Sequence, residues 1–431
     1  MVLNEHYPLP PQHALLGYSE HVPRVRRRAV VEGALAAKHV VVYTPYNSNY
    51  SSVDRYCDII IPETQYLTDI SDLCLSIKGS LKKNDNTELG ADDNFVLANC
   101  TLHSLFKSVN VYLNQVQVSS DNSYAHTSMV KHLTRVSNDE IESGGCLIGL
   151  RNPKNFNPMK FDNAAFTPQS NPDVENVREN GFFYRGKLEI DVGSLDSYLL
   201  TNVEIRIRLQ IADNVQIVGC EVGKNFQISI EDLKLYATHY ELRKNANLAM
   251  EKALQSTPMI YPFKKHTTKS IILGRNQTSI QIDSPFHGQI PNKLYIFMTH
   301  LDADRKCEYN SFYYSRFGLS RLRLSVDNID VYNINCSEEN ELYYNTYKSI
   351  NKSDTLLTKN TWKAGSNIIV LDLNTEIFDE DPLNLQLCKR GNMRINLEFS
   401  QNTDHNIIVY LLGEFSATLQ IDSNRQITLI E

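Results

Sequence analysis

In TLHSLFKSVNVYLNQVQVSSDNSYAHTSMVKHL, residues 101–133, His103, His126 and His132 stand among serines and Asp121. Those residue types could supply a nucleophile with its general base, or a small metal site. Either chemistry needs the groups to meet in space. A related pattern later in the chain carries Tyr313, Tyr344 and Lys348 in the comparable regions, with no histidine. Imidazole is therefore not something this local architecture requires, and the stretch is read as framework. No catalytic residue is assigned, and the protein is expected not to be an enzyme.

The remaining candidates are no stronger. A cupin-like oxygenase would need a triad of His and carboxylate on neighbouring strands. His126 with His132, or His239 alone, does not provide that motif. The acidic turns DADR (302–305) and FDEDP (378–382) lack the ligand spacing of a calcium loop. The eight cysteines, at 57, 74, 100, 146, 220, 307, 336 and 388, show no CxxC and no Cys/His cluster, so a zinc site is not expected. They are read as free thiols made in a reducing compartment. No metal and no cofactor is assigned.

Net charge is −7, so the body of the chain is not built to bind a polyanion. PRVRRR near the N-terminus is the local exception, placing Arg24, Arg26, Arg27 and Arg28 close together. It reads as a solvated arm or as a contact for phosphate. The N-terminus MVLNEHYPLPPQH lacks the layout of a secretory signal, and the run IIVYLL at 407–412 is too short to span a bilayer. No membrane anchor is expected.

The elements that position these residues are strands. At 431 residues the chain exceeds most single cores, and 23 Tyr with short runs of Ile, Val and Thr favour β structure. VNVYLNQVQV (109–118) and LRLSVDNIDV (322–331) share apolar alternation around Asn114-Gln115 and Asp327-Asn328, with Val109 matching Leu322 and Val118 matching Val331. Alternation about such a dipeptide is the pattern of a tight hairpin. NVEIRIRLQ (202–210) and NMRINLEFS (392–400) form a second pair, with Asn202 set against Asn392. Ordered matches at similar spacing indicate a duplication. The chain is read as all-β: two tandem antiparallel jelly rolls, each with a helix inserted after its hairpin. The division expected is an arm at 1–50, a first roll at 51–243, a linking helix at 244–257 and a second roll at 258–431. The linker NANLAMEKALQ should pack through Leu248, Ala249 and Ala253.

The runs YLTDISDLCLSIKGSL, SLFKSVNVYLNQVQVSS, SYLLTNVEIRIRL, MIYPFKKHTTKSIILG, GQIPNKLYIFMTHLDA, FYYSRFGLSRLRLSVDNIDV and GNMRINLEFS occur in this order. Together they resemble the successive blocks of the major capsid protein of Polinton (Maverick) elements and adintoviruses, over about residues 55–425. The arm, 1–50, has no counterpart in that resemblance. It implies a double jelly-roll capsid protein, similar in plan to adenovirus hexon and virophage capsid proteins. It further implies a homotrimer with a pseudo-hexagonal outline, tiling an icosahedral virion shell around double-stranded DNA. The partners would be neighbouring capsomers and a single jelly-roll penton protein. Arg24, Arg26, Arg27 and Arg28 would then face inward, toward DNA or a minor inner protein. The alternative reading of the residues is a non-enzymatic β-sandwich binding module for carbohydrate or protein. Such a module needs an exposed aromatic platform, which lone Trp362 does not make. The aromatic residues Tyr309, Phe312, Tyr313, Tyr314 and Phe317 fit an interface anchor and a strand core equally well.

Overall fold

The computed structural model describes residues 34–49, 55–90, 92–154, 157–161, 174–350, 352, 354–374, 389–400, 403 and 405–431. Eight strands carry the first roll: β1 (Leu35–Tyr43), β2 (Tyr56–Ile61), β3 (Leu67–Lys83), β4 (Phe106–Leu113), β5 (Val116–Asp121), β6 (Phe182–Lys187), β7 (Ile205–Ile211) and β8 (Phe226–Leu242). Eight carry the second: β9 (Met259–Leu273), β10 (Ser279–Asp283), β11 (Lys293–His300), β12 (Leu319–Val326), β13 (Ile329–Asn335), β14 (Ile368–Asp372), β15 (Met393–Phe399) and β16 (Ile407–Ile421). The sheets of the first roll run β1-β8-β3-β6 and β2-β7-β4-β5, and those of the second run β9-β16-β11-β14 and β10-β15-β12-β13. The order is the same in both, strand for strand. Short strands add to this frame: Asn47–Asn49 beside β2, and Ile427–Ile430 beside the end of β16. The fold is the double jelly roll expected from the alternation.

Local sequence explains the faces. In β7 (IRIRLQI) and β15 (MRINLEF) every second residue is buried, as in a sheet with core on one side only. β11 and the first nine residues of β16 are buried on almost every residue, because their sheet is covered on both faces. The two rolls accordingly bury one contiguous hydrophobic cluster.

The duplication extends to the turns. Asn114, Gln115, Asp327 and Asn328 all have positive φ (42°, 70°, 51° and 66°), the conformation that short polar side chains tolerate best. In the first roll Glu204 N donates to Asn114 Oδ1 at 2.8 Å; in the second Asn392 N donates to Asp327 Oδ1, also at 2.8 Å. Each turn residue thus anchors the residue that leads into the neighbouring strand. Ile205 pairs with Leu113 and Met393 pairs with Val326, so Met393 is the counterpart of Ile205. Setting Asn202 against Asn392 instead makes Val203 its counterpart, a slip of two positions. Such a slip keeps every side chain on its own face, which is why alternation alone could not detect it.

Two further expectations change. Leu35–Tyr43, inside the segment read as an arm, is edge strand β1. Its Val40, Val41 and Val42 are all exposed, so it lacks the alternation that marks a half-buried strand. The linking helix Lys244–Leu254 buries Ala246, Met250 and Leu254, whereas Leu248 is 68% exposed. The stripe at every fourth residue, Ala246, Met250 and Leu254, is the one that packs.

Replacing Asn114 or Asp327 by Ala should destabilise the chain by about 1–3 kcal/mol each, by orphaning an amide and placing Cβ without local compensation at positive φ. Asp327→Asn keeps the acceptor and should stay within about 0.5 kcal/mol of the parent, whereas Asn114→Asp keeps the acceptor but loses the bond from Asn114 Nδ2 to Arg425 O and should cost about 1 kcal/mol. Urea unfolding midpoints of the four variants distinguish the outcomes.

Candidate functional site

Helix α1 (Thr101–Ser104) precedes β4, and α2 (Tyr124–Arg135) follows β5. Ten of the twelve residues of α2 are buried, including His126, Lys131 and His132. A helix buried all round lies between layers, and here those layers are the two rolls. Its C-terminal carbonyls accept from the second half: Leu357 N to Leu133 O and Leu356 N to Val136 O, both at 2.9 Å. Its counterpart in the second roll, α3 (Glu339–Ile350), buries only Leu342, Thr346 and Ser349 and exposes Tyr344 and Tyr347. The same insertion is a buried wedge in one roll and a surface helix in the other.

At the wedge, charge is buried and paired. Asp191 lies 2.7 Å from His266 Nδ1 and 3.5 Å from Lys131 Nζ, and accepts from Ser119 Oγ at 3.2 Å. Glu414 lies 2.9 Å from Lys264 Nζ, 3.4 Å from Arg135 and 3.5 Å from His266 Nε2. His266 on β9 therefore stands between a first-roll and a second-roll carboxylate. Burial raises both acids, but the surrounding positive charge prevails: Lys131 and His266 take Asp191 down to about 2, and His266, Lys264 and Arg135 take Glu414 well below the usual range. Buried charges of this kind are tolerable only when paired in this way.

The three histidines of residues 101–133 are all buried. His126 is enclosed by Phe297, Phe312, Tyr314 and Tyr410, with Nδ1 3.1 Å from the Tyr314 hydroxyl, and so belongs to the core between the rolls. His103 Nδ1 is 2.7 Å from the Tyr124 hydroxyl, and His132 Nδ1 donates to Ser128 O at 2.7 Å. Cys100 Sγ is 3.9 Å from His132 Nδ1. Cys100, His103 and His132 thus form a Cys/His cluster that the sequence reading did not expect, with ligand-type atoms all within 4.8 Å of one another. The available signal was the C-x-x-H spacing of Cys100 and His103; the third member, His132, is remote in sequence and arrives through the fold.

The free-thiol reading also changes. Cys220 and Cys307, 87 residues apart, are joined by a disulfide that links the rolls, with Cα atoms 5.4 Å apart. Sequence spacing cannot reveal a pairing that depends on which loops meet. Cys74, Cys100, Cys146 and Cys336 are free thiols, and Cys388 lies outside the described residues.

Of the aromatic residues left between two readings, Phe312 and Tyr314 are core, while Tyr309, Tyr313 and Phe317 are half-buried. Trp362 is 1% exposed and donates to Ile368 O, so it presents no platform. DADR forms a 3-10 turn in which Asp302 pairs with Lys306 at 3.0 Å. FDEDP, and Arg24, Arg26, Arg27 and Arg28, lie outside the described residues. Among the described residues, no helix is long and apolar enough to cross a membrane.

No family model matches the chain, and no curated protein matches it by sequence. Solved structures do. A chain of the cryo-EM structure of the Sputnik virophage superposes with a TM-score of 0.60 at 13% identity, covering 99% of this chain and 93% of that one. The mavirus major capsid protein gives 0.56 at 10% identity, covering 100% and 96%. The Faustovirus major capsid protein gives 0.54 at 9% identity, covering 90% and 91%. At such identities the likeness is one of fold: the double jelly roll of viral major capsid proteins, matched over nearly its whole length.

Because Asp191 and Glu414 bind protons less readily when folded, their contribution is complete above the unfolded range near pH 4. It should be lost as pH falls through about 4 toward about 2. Asp191 should account for about 2 kcal/mol of that loss. Asp121, beside them, is pushed up by burial and has the opposite sign. The test is therefore the difference between parent and Asp191→Asn in urea unfolding from pH 7 to pH 2. The variant should be weaker at pH 7 and the gap should close on acidification.

Proposed function

We propose that this chain is a major capsid protein, of the kind found in Polinton (Maverick) elements and adintoviruses, whose role is assembly rather than chemistry. The observation that carries the proposal is the pair of rolls with identical strand order, matched end to end by viral capsid chains. Three copies would form a trimer in which six rolls make a pseudo-hexagonal capsomer, with β1 to β8 and β9 to β16 as its repeating units. Capsomers would tile an icosahedral shell around double-stranded DNA, with a single jelly-roll penton protein at the vertices. Fusing two similar rolls lets a threefold assembly occupy a sixfold-like place while each roll keeps its own contacts.

Two features support this reading. The rolls are locked to each other by α2, the charge network and the disulfide, as a capsomer with a fixed outline requires. Several exposed apolar residues fall on edge strands and on α3: Val40, Val41 and Val42, Phe183, Ile329 and Val331, Tyr344 and Tyr347. Edges of this kind call for a covering partner.

Light scattering of the purified protein should give about 150 kDa, three times the chain mass of 49.3 kDa, and negative-stain images should show a hexagonal outline. A monomer without that outline would overturn the capsomer reading. Replacing Arg24, Arg26, Arg27 and Arg28 together by Ser should reduce the DNA content of assembled particles. Unchanged DNA content would remove the arm's proposed contact with phosphate.

A further inference from the structure

We propose that Cys100, His103 and His132 form a structural zinc site that fastens α1 to the last turn of α2. The ligand atoms of the three side chains lie within 4.8 Å of one another, and the residues are 1%, 1% and 8% exposed. Zinc ligands bond at about 2.0–2.3 Å, so tetrahedral ligand atoms stand about 3.3–3.8 Å apart. Contraction by about an ångström, within reach of side-chain rotation, would bring three donors onto one tetrahedral ion, with a water in the fourth position. One thiolate with two imidazoles is a donor set suited to zinc rather than to calcium or magnesium, which take oxygen ligands.

The surroundings are those of an oriented site. His132 Nδ1–H is held by Ser128 O at 2.7 Å, and His103 Nδ1 by the Tyr124 hydroxyl at 2.7 Å. That hydroxyl also accepts from Glu189 N at 3.2 Å. Metal-bound histidines are fixed by bonds of this sort through the other ring nitrogen. Cys100 stands at the N-cap of α1 in the left-handed region, φ 55° and ψ 50°. Its thiol lies 3.9 Å from Nδ1 of His132, the ring nitrogen that Ser128 O holds, so the metal-facing nitrogen of His132 would be Nε2. Binding expels the thiol proton: S–H gives S–Zn and one H⁺ goes to solvent.

A metal at this place would have a mechanical consequence. α2 carries His126, Lys131 and Arg135 into the contact between the rolls, so a metal at its C-terminal end would fix the wedge itself.

The experiment uses the full chain without a polyhistidine tag, grown with zinc and also refolded from guanidinium with Zn²⁺, with Co²⁺ or with chelator. The expected result is about one metal per chain by elemental analysis. The cobalt form should show tetrahedral d–d bands and a near-ultraviolet thiolate-to-cobalt band. Cys100→Ser should lose the thiolate band, His132→Gln should lower the metal content at least about tenfold, and Cys146→Ser should change neither. Refolding with chelator should lower the unfolding temperature. A folded parent protein that holds less than about 0.1 metal per chain and takes up neither Zn²⁺ nor Co²⁺ on refolding would overturn the site. So would a cobalt spectrum unchanged by Cys100→Ser. Should a variant fail to fold, the metal content of the parent decides alone.

Discussion

The structure depends on one constraint: the outer face of the second roll's β9-β16-β11-β14 sheet is not allowed to meet water. In a lone jelly roll that face would be solvated, and β16 would alternate along its whole length. Here its first nine residues are buried on both sides, because α2 from the first roll lies against them. Covering the face brings polar groups in with the helix, and each must be matched. Lys131 and Arg135 are met by Asp191 and Glu414, and His126 by Tyr314. Such a network contributes less to stability than an apolar contact of equal area would. What it adds is a single permitted orientation, since sliding α2 by one turn would leave several charges buried and unpaired.

The same constraint explains how the two copies diverged. Their strand order, tight turns and turn-to-strand hydrogen bonds are shared, down to the acceptor at Asn114 and Asp327. Their inserted helices are not. α2 is enclosed and carries histidine, lysine and threonine inward; α3 packs Leu342 and Thr346 on its own roll and leaves two tyrosines outside. Once the rolls were fused, only one insertion could occupy the space between them. The other was free to become surface.

Legibility in the sequence followed from how local the cause was. The hairpins at 109–118 and 322–331 could be read because turn chemistry and alternation lie in the same short run. β1 could not, because three consecutive valines on an exposed edge carry no period, and the neighbouring PRVRRR drew the whole segment into an arm. The burial of α2 was invisible for a different reason: its polar composition reads as surface until the partners of each charge are known. The Cys220–Cys307 bridge and the Cys100, His103 and His132 cluster share this character. Each depends on segments brought together by the double roll, so a linear reading saw scattered cysteines and ordinary histidines.

Edge strands show what the duplication did to the outside of the molecule. β1 and β9 occupy the same place in their rolls, each at the end of a four-stranded sequence of neighbours. β1 presents Val40, Val41 and Val42 to solvent, whereas β9 carries Lys264, Lys265 and Lys269, the residue type that blocks edge-to-edge pairing. At the other sheet the bias reverses. β13 of the second roll exposes Ile329 at 71% and Val331 at 47%, while its counterpart β5 exposes Val116 at 38%. Corresponding edges of the two rolls therefore present different residues, although β9 also exposes Ile272 at 57%. A partner that fits one roll's edge does not fit the other's. Two similar halves with unlike edges can take unlike neighbours, which two identical halves could not.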